Sequence, residues 1–344
     1  MSQRNEHPSL DTAPAGSIRF NTDSSMLEIY NGEQWWNINS ASVNEQTNGA
    51  RSLWAGGNTP TYFNNIQFIQ ITTTGNAADF GDLTRVGNQI NGVSSRVRAV
   101  YGAGYQGSGT GVDNVIDFVN IVSKGDATNF GDLTTLRSGV QPVQNSTRGI
   151  FVGGMDHPAQ NSQQTIDYVT ISTTGDAVDF GDMDNNIRNG SSACSPTRGI
   201  VSRGNPSTNI MQYLTISTLG DMSDFGDATT ADTAAVGTSS NAIRGINFTA
   251  SYSPNTDDVI DYITIATLGN ALDFGDLNHI SMNGAAVCAS TTRAIAGGGF
   301  DGGIQPELDY VQIMTLGNAK DFGDLAEARS QPGAVSNAHG GLAG

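Results

Sequence analysis

A Phe-Gly-Asp block that recurs six times, preceded by Asp in five copies and by Asn129 in the other, an alternating β-branched and aromatic run ahead of each copy, and a scarcity of helix formers together predict an all-β fold, a β-propeller of four-stranded blades. The chain has 344 residues, 43 of them Gly, with 16 Lys+Arg against 33 Asp+Glu and a formal net charge of −17. Only 14% of residues are charged and 37% are hydrophobic. Clustered positive charge, which a phosphate-tracking surface needs, is lacking, and this excludes nucleic acid as a partner. Each helical Gly costs about 1 kcal/mol relative to Ala, which argues against long helices. The Ile, Val, Phe and Tyr content argues against disorder.

Residues 1–16 are polar and read as a flexible leader without an apolar h-region, and no stretch approaches the ~18 apolar residues of a membrane span. The expectation is a protein that is not secreted by the general route and does not insert into a membrane. Residues 17–40 read as an N-terminal β-module: Ser17-Ile18-Arg19-Phe20-Asn21 and Met26-Leu27-Glu28-Ile29-Tyr30-Asn31 are two strands, followed by Gln34-Trp35-Trp36-Asn37-Ile38.

Residues 41–344 carry the repeats. The conserved-length phrase is centred on Phe80, Phe130, Phe180, Phe225, Phe274 and Phe322, at separations of 50, 50, 45, 49 and 48 residues. Runs such as Ile166-Asp167-Tyr168-Val169-Thr170-Ile171-Ser172 alternate as strands do, and a Gly-Asp or Gly-Asn pair (Gly175-Asp176, Gly269-Asn270) turns the chain into the strand holding Phe-Gly-Asp. Two further strands precede these. Arg148-Gly149-Ile150-Phe151-Val152-Gly153-Gly154 recurs in kind at Arg51, Arg98, Arg198, Arg244 and Arg293, each after a small-residue run such as Ser191-Ser192-Ala193-Cys194-Ser195, whose size suits an innermost strand. A β-solenoid is the runner-up, but it would not need a four-strand unit. Residues Gly333 to Gly344 supply a seventh inner pair, with His339 where other repeats place Arg. The preferred expectation is a seventh blade closed by strands from both termini, which would remove free sheet edges. The alternative is six blades with the N-terminal hairpin as an attachment arm.

Asp-Phe-Gly invites comparison with the magnesium-binding triplet of protein kinases, but no His-Arg-Asp loop accompanies it. A structural role is expected: Phe plugs the core, Gly permits a bulge, and Asp ends the strand. Gly102-Ala103-Gly104-Tyr105-Gln106-Gly107 matches a phosphate-loop spacing by its letters, yet the glycine-rich continuation cannot open a helix. The repeated Arg51, Arg98, Arg148, Arg198, Arg244 and Arg293 would form a ring on one face. They are expected to pair with the repeated Asp82, Asp132, Asp182, Asp227, Asp276 and Asp324, making the fold acid-sensitive below about pH 4. An anion-binding ring is the alternative.

Catalytic constellations are missing. His7, His157, His279 and His339 fall at unrelated positions, no nucleophile elbow is present, and carboxylates such as Asp257, Asp258 and Asp261 are weak signals in an acidic chain. No enzyme activity, cofactor or metal is expected, with calcium at Asp-rich loops left open. Cys194 and Cys288 are expected as buried thiols rather than a disulfide. Where the repeats differ is the better guide to binding. The turns from first to second and third to fourth strand are uniform, while the second-to-third and fourth-to-first connections, which share the other face, vary in length and composition. These variable loops carry Tyr62, Phe63, Tyr105, His157, Tyr252, Phe300 and Asp301 among Gly, Ser and Asn, a mixture able to stack on and hydrogen-bond a polar ligand such as a glycan.

The phrase Arg148 to Gly154, Ile166 to Ala177 and Asp179 to Asp182 resembles the kelch-like repeats of virion structural proteins in tailed bacteriophages, especially marine ones infecting cyanobacteria. The likeness covers residues from about 50 to 344. The segment Gly16 to Asp23 with Leu27 to Gly32 and Trp35-Trp36 is similar to a short β-module of phage tail-fibre and appendage proteins. Phe-Gly-Asp replaces the Trp that closes a cellular kelch blade, so cellular kelch functions are not carried over. The resemblance implies a non-enzymatic virion protein, made in the host cytoplasm. It would be a tail-fibre or tail-associated appendage that presents a face for host-surface glycans. Other tail or capsid proteins and further copies of the chain are its expected partners. A capsid, neck or tail decoration protein that binds only virion partners is one alternative, and a polysaccharide-degrading tailspike-type enzyme is another.

Overall fold

A computed structural model describes residues 13–21, 26–37, 50–107, 111–232, 234–235, 237–250, 258–278, 284–300 and 302–342. The chain divides into two compact units, Met1–Asn48 and Gly49–Gly344. It is all-β: among the described residues the one helical element is the short 3-10 turn Gly340–Leu342.

In the first unit, Ile18–Asn21, Met26–Tyr30 and Trp35–Asn37 form an antiparallel three-stranded sheet. Register sets Ile18 opposite Ile29 and Ile29 opposite Trp36, with Phe20 opposite Leu27, so these five apolar side chains share one face, and all are exposed. The other face is held together by side chains: Arg19 Nε pairs with Glu28 at 2.7 Å and its guanidinium lies 4.2 Å from the centre of the Trp35 ring.

The second unit repeats one antiparallel sheet. Asn91–Ser94, Arg98–Gly102, Val115–Asn120 and Thr128–Asp132 pair in sequence order, and the same pattern runs through the later repeats. The C-terminal strand Gly333–Ser336 pairs with Arg51–Ala55, inside the sheet that continues through Asn65–Gln70 and Ala78–Asp82. This corrects the expectation of a seventh blade shared by both termini: among the described residues the N-terminal strands pair with one another, and Gly333–Ser336 pairs with Arg51–Ala55. The innermost position beside residues 51–55 is taken by 333–336. In the fifth repeat the inner strand is split: Ala234–Ala235 pairs with Arg244–Ala250, whereas Gly237–Thr238 pairs in parallel with Ser191–Cys194 of the repeat before. Inner strands lie beside one another in the order 333–336, 91–94, 141–144, 191–194, 237–238 and 286–289, and the last lies beside the first. In Ala286–Ala289 and Gly333–Ser336 the side chains are small and buried, as crowding toward a common axis requires.

The Phe-Gly-Asp block works as a joint between neighbouring repeats. Phe80, Phe130, Phe180, Phe225, Phe274 and Phe322 are buried, and each meets an aromatic ring of its own third strand edge-on, as Phe180 does with Tyr168 at 6.0 Å. The register shifts at each block, so the expected bulge is present. The glycine is needed for contact with the next repeat: a Cβ on Gly181 would sit 2.5 Å from the carbonyl oxygen of Gly220. Around this contact Gly220 N–H donates to Phe180 O at 2.9 Å, Met222 N–H donates to Asp182 O at 2.9 Å, and Asp182 N–H donates to Asp221 Oδ1 at 2.9 Å. The same set recurs at every junction and closes on itself, with Gly75 N–H donating to Phe322 O and Asp324 N–H to Asn76 Oδ1.

The C-terminal residues fill the space between inner strands. His339 is buried, its Nε2 lies 2.9 Å from Ser94 O, and its Nδ1 accepts from Gly341 N–H at 3.2 Å. Gly340 lies against the backbone of Cys194 and Asn241, Gly341 against that of Gln144, and Leu342 O accepts from Arg96. His339 therefore does not take the place of the repeat arginines. Cys194 and Cys288 are free and buried, and burial pushes the Cys288 thiol up to about 12.

Candidate functional site

The repeat arginines and aspartates expected to pair lie at opposite ends of the third strand. Arg98 is in register with Asn120 at one end of Val115–Asn120, and Asp132 with Val115 at the other. At a rise of about 3.3 Å per residue the two ends are on the order of 17 Å apart. The six arginines instead share another arrangement. Arg198 lies 4.6 Å from the centre of the Tyr213 ring and donates from Nη1 to Ile265 O of the next repeat at 2.8 Å. Arg51, Arg98, Arg148, Arg244 and Arg293 do likewise with their own third-strand ring and the following repeat, the last donating to Ile71 O. The aspartates Asp82, Asp132, Asp182, Asp227, Asp276 and Asp324 contribute backbone N–H groups to the junctions described above.

Buried ion pairs do exist, with other members. Arg137 Nη2 donates to Asp167 at 2.8 Å, Arg85 Nη1 to Asp117 at 2.8 Å, and Arg203 Nη2 to Asp261. In each case the aspartate stands in the third strand at the bulge. Asp117 and Asp167 reach back to the connection that enters their own repeat, and Asp261 accepts in addition from Thr229 in the strand Ser223–Asp232 of the repeat before.

At the loop face the second-to-third loops and the links entering the inner strands come together, and they line a cleft of about 430 Å³. The links give Asn88, Gln89, Arg188, Asn189 and Gln331, and the loops give Tyr105, Met155, His157, Gln160 and Asn205. Paired bridges hold the two sets in register, Asn88 with Tyr105 and Arg188 with Asn205. Tyr105 and His157, from different repeats, stack with ring centres 4.6 Å apart and planes at 28°, and Tyr62 meets Tyr105 edge-on at 6.0 Å. Partial burial holds His157 below its ordinary pKa, an effect that Asp156 opposes and Arg188 reinforces. Partial burial raises the Tyr62 hydroxyl, with Tyr105 adding to it.

Among the residues expected from sequence at this face, Tyr105 and His157 line the cleft and Tyr62 supports it. Phe63 lies alongside, under the Arg329 guanidinium at 5.1 Å. Phe300 is 49% exposed, pairs with Ile304, and is not part of the lining. Tyr252 and Asp301 lie outside the described residues.

Sequence reading missed the amides and the arginine. Gln89, Asn189 and Gln331 adopt left-handed backbone with φ of 53°, 52° and 56°, at the position where the second link has Gly139 at 64°. Side chains are thus kept where glycine would be the unstrained choice, and such strain concentrates at binding and catalytic sites. The comparison of Gln89, Gly139, Asn189 and Gln331 across repeats was the available signal. Asn88 is 6% exposed and donates to Asn58 Oδ1 and Gln331 Oε1, yet its own Oδ1 and Gln89 Oε1 have no hydrogen-bond partner among the described residues. Buried acceptors of this kind are costly unless something donates to them.

No family model matches the chain, and no curated protein matches it. Among the described residues no group of three or more His, Cys, Asp or Glu side chains could hold a metal ion, and no helix is long and apolar enough to cross a membrane.

Proposed function

We propose that the chain is a six-bladed propeller that acts as a binding protein without catalytic activity. We place it in a phage virion, in a tail-fibre or tail-associated appendage, with the loop face turned to host-surface glycans. The observation that carries this reading is the cleft, in which stacked Tyr105 and His157 rings stand beside Asn88, Gln89, Asn189 and Gln331. Flat aromatic faces take the apolar side of a sugar ring, and amides hydrogen-bond its hydroxyls. A preformed concavity of this size with convergent polar groups is what small-ligand sites require. The propeller reading is supported by the cyclic order of the inner strands and by the junction that returns from Phe322 to Gly75. The apolar face of the N-terminal sheet is the feature we assign to attachment on other virion proteins.

The test is binding of host-surface oligosaccharides to the full chain and to Tyr105→Ala, together with antibody labelling of virions. Binding that falls several-fold to about tenfold in the variant, with label on the tail, supports the proposal. An absence of oligosaccharide binding, or label confined to capsid or neck, would replace it with the decoration-protein reading. Release of new reducing ends would replace it with an enzyme.

A further inference from the structure

Arg188 is set apart from the other arginines of this face. Arg85, Arg137, Arg203 and Arg329 each have a carboxylate partner, Asp113 and Asp117, Asp167, Asp261, and Glu327 respectively. Arg188 has none among the described residues: its Nη1 donates to the Gln160 carbonyl and, at 3.5 Å, to Ser162 Oγ. The reason can be followed residue by residue. Arg137 stands two residues before Gly139 and turns inward to Asp167 in the third strand of the repeat it leads into. In the following link the same position is Ile187, buried, and the facing strand has Gln212 in place of the aspartate, which binds Asp184 and Asn185 N–H instead. The arginine is displaced by one residue to 188, and that shift turns it from the interior into the cleft.

Among the described residues the cleft is also free of carboxylates. Its ten lining residues include no Asp or Glu in a chain that has 33 of them. The nearest acidic side chain in sequence, Asp156, is engaged by Asn161, whose backbone N–H donates to Oδ1 at 2.7 Å. A half-buried guanidinium that lines an otherwise uncharged, amide-lined cleft and is engaged among the described residues through Nη1 alone keeps the rest of its fork available for a planar anion. The net charge of −17 does not prevent this, because exposed carboxylates beyond about 8 Å are largely screened at physiological ionic strength.

We infer that the ligand of this cleft is an acidic sugar, a glycan residue bearing a carboxylate such as a uronic or sialic acid. The carboxylate is taken by the Arg188 fork while the ring rests on His157 and Tyr105. This inference rests on the glycan-binding reading and adds the charge of the ligand to it.

The experiment measures binding of the full chain to uronic- and sialic-acid oligosaccharides and to the same oligosaccharides with each carboxyl group reduced to the alcohol. An acidic member is expected to bind about tenfold or more tightly than its reduced counterpart, with affinity falling as salt rises. Arg188→Met should abolish that difference, Arg188→Lys should restore part of it, and Tyr105→Ala should weaken acidic and reduced ligands alike. Unchanged melting temperatures establish that the variants fold. If acidic and reduced sugars bind equally, or if Arg188→Met keeps the preference, the inference falls while the glycan reading stands. If no sugar binds, both fall.

Discussion

Arg137 and Asp167 meet at 2.8 Å with both side chains fully buried, the first in the link that enters a repeat and the second in that repeat's third strand. Arg137 Nη1 also donates to Thr165 O at 2.7 Å, and Asp167 accepts from the N–H and hydroxyl of Thr134. The pair therefore locks the link entering one inner strand to the third strand of the same repeat, beside the outer strand of the one before.

Removing either partner leaves a buried charge without its counter-ion, which costs ~3–5 kcal/mol. Arg137→Met and Asp167→Ala should each lower the melting temperature markedly, and the double variant should lose less than the sum of the two. Arg198→Met removes a guanidinium that rests on Tyr213 and a carbonyl. It should be milder, by ~1–2 kcal/mol, and leave the acid sensitivity of the fold as it was. Equal losses at Arg137 and Arg198 would overturn this ranking.

Gly181 and Gly220 provide a matched pair for the joint between repeats. Both have positive φ, 150° and 146°, so an alanine is strained at either position. Only at Gly181 would the new Cβ meet backbone, that of Gly220 at 2.5 Å, whereas a Cβ on Gly220 meets nothing within 4 Å. Gly181→Ala should cost ~1–3 kcal/mol more than Gly220→Ala in urea unfolding. Similar midpoints for the two variants would show that the junction yields to accommodate the methyl group.

The repeat itself was legible in the sequence because one motif, read at six positions, reports a strand, a bulge and a turn each time. The face carrying variable loops followed from it, and Tyr62, Tyr105 and His157 do come together there. Pairing partners were not legible. Charge complementarity matched Arg98 with Asp132, but complementarity has no direction, and the third strand separates them. The true partners, such as Asp167, looked like ordinary members of an alternating run, since burial of an aspartate has no signature in the strand alone. Closure by Gly333–Ser336 against Arg51–Ala55 was hidden for a related reason: a strand pattern states that an edge exists, not which edge it meets.

His339 gives the fold a pH dependence with a definite sign. Burial, the dominant cause, holds its pKa at about 4, below the ordinary 6.5; Arg96 also lowers it, and the hydrogen bond to Ser94 O partly opposes this. The folded state therefore keeps the imidazole neutral where the unfolded chain takes up a proton. Above pH 6.5 both states are neutral and the contribution to stability is complete. As pH falls from 6.5 to 4 the unfolded state alone binds the proton, and stability is lost over that window, by about 3 kcal/mol in all. Below pH 4 both states are protonated and the loss stops growing. His339→Gln removes the titration, so the difference in unfolding free energy between wild type and variant should shrink or reverse between pH 6.5 and 4 and be flat above 7. The C-terminal turn at 340–342 sits on this imidazole through Gly341 N–H, so exchange protection of that amide should drop over the same window in the wild type. A difference that stays constant from pH 7 to 4 would mean that His339 is solvated before the chain unfolds and does not hold the C-terminus between the inner strands.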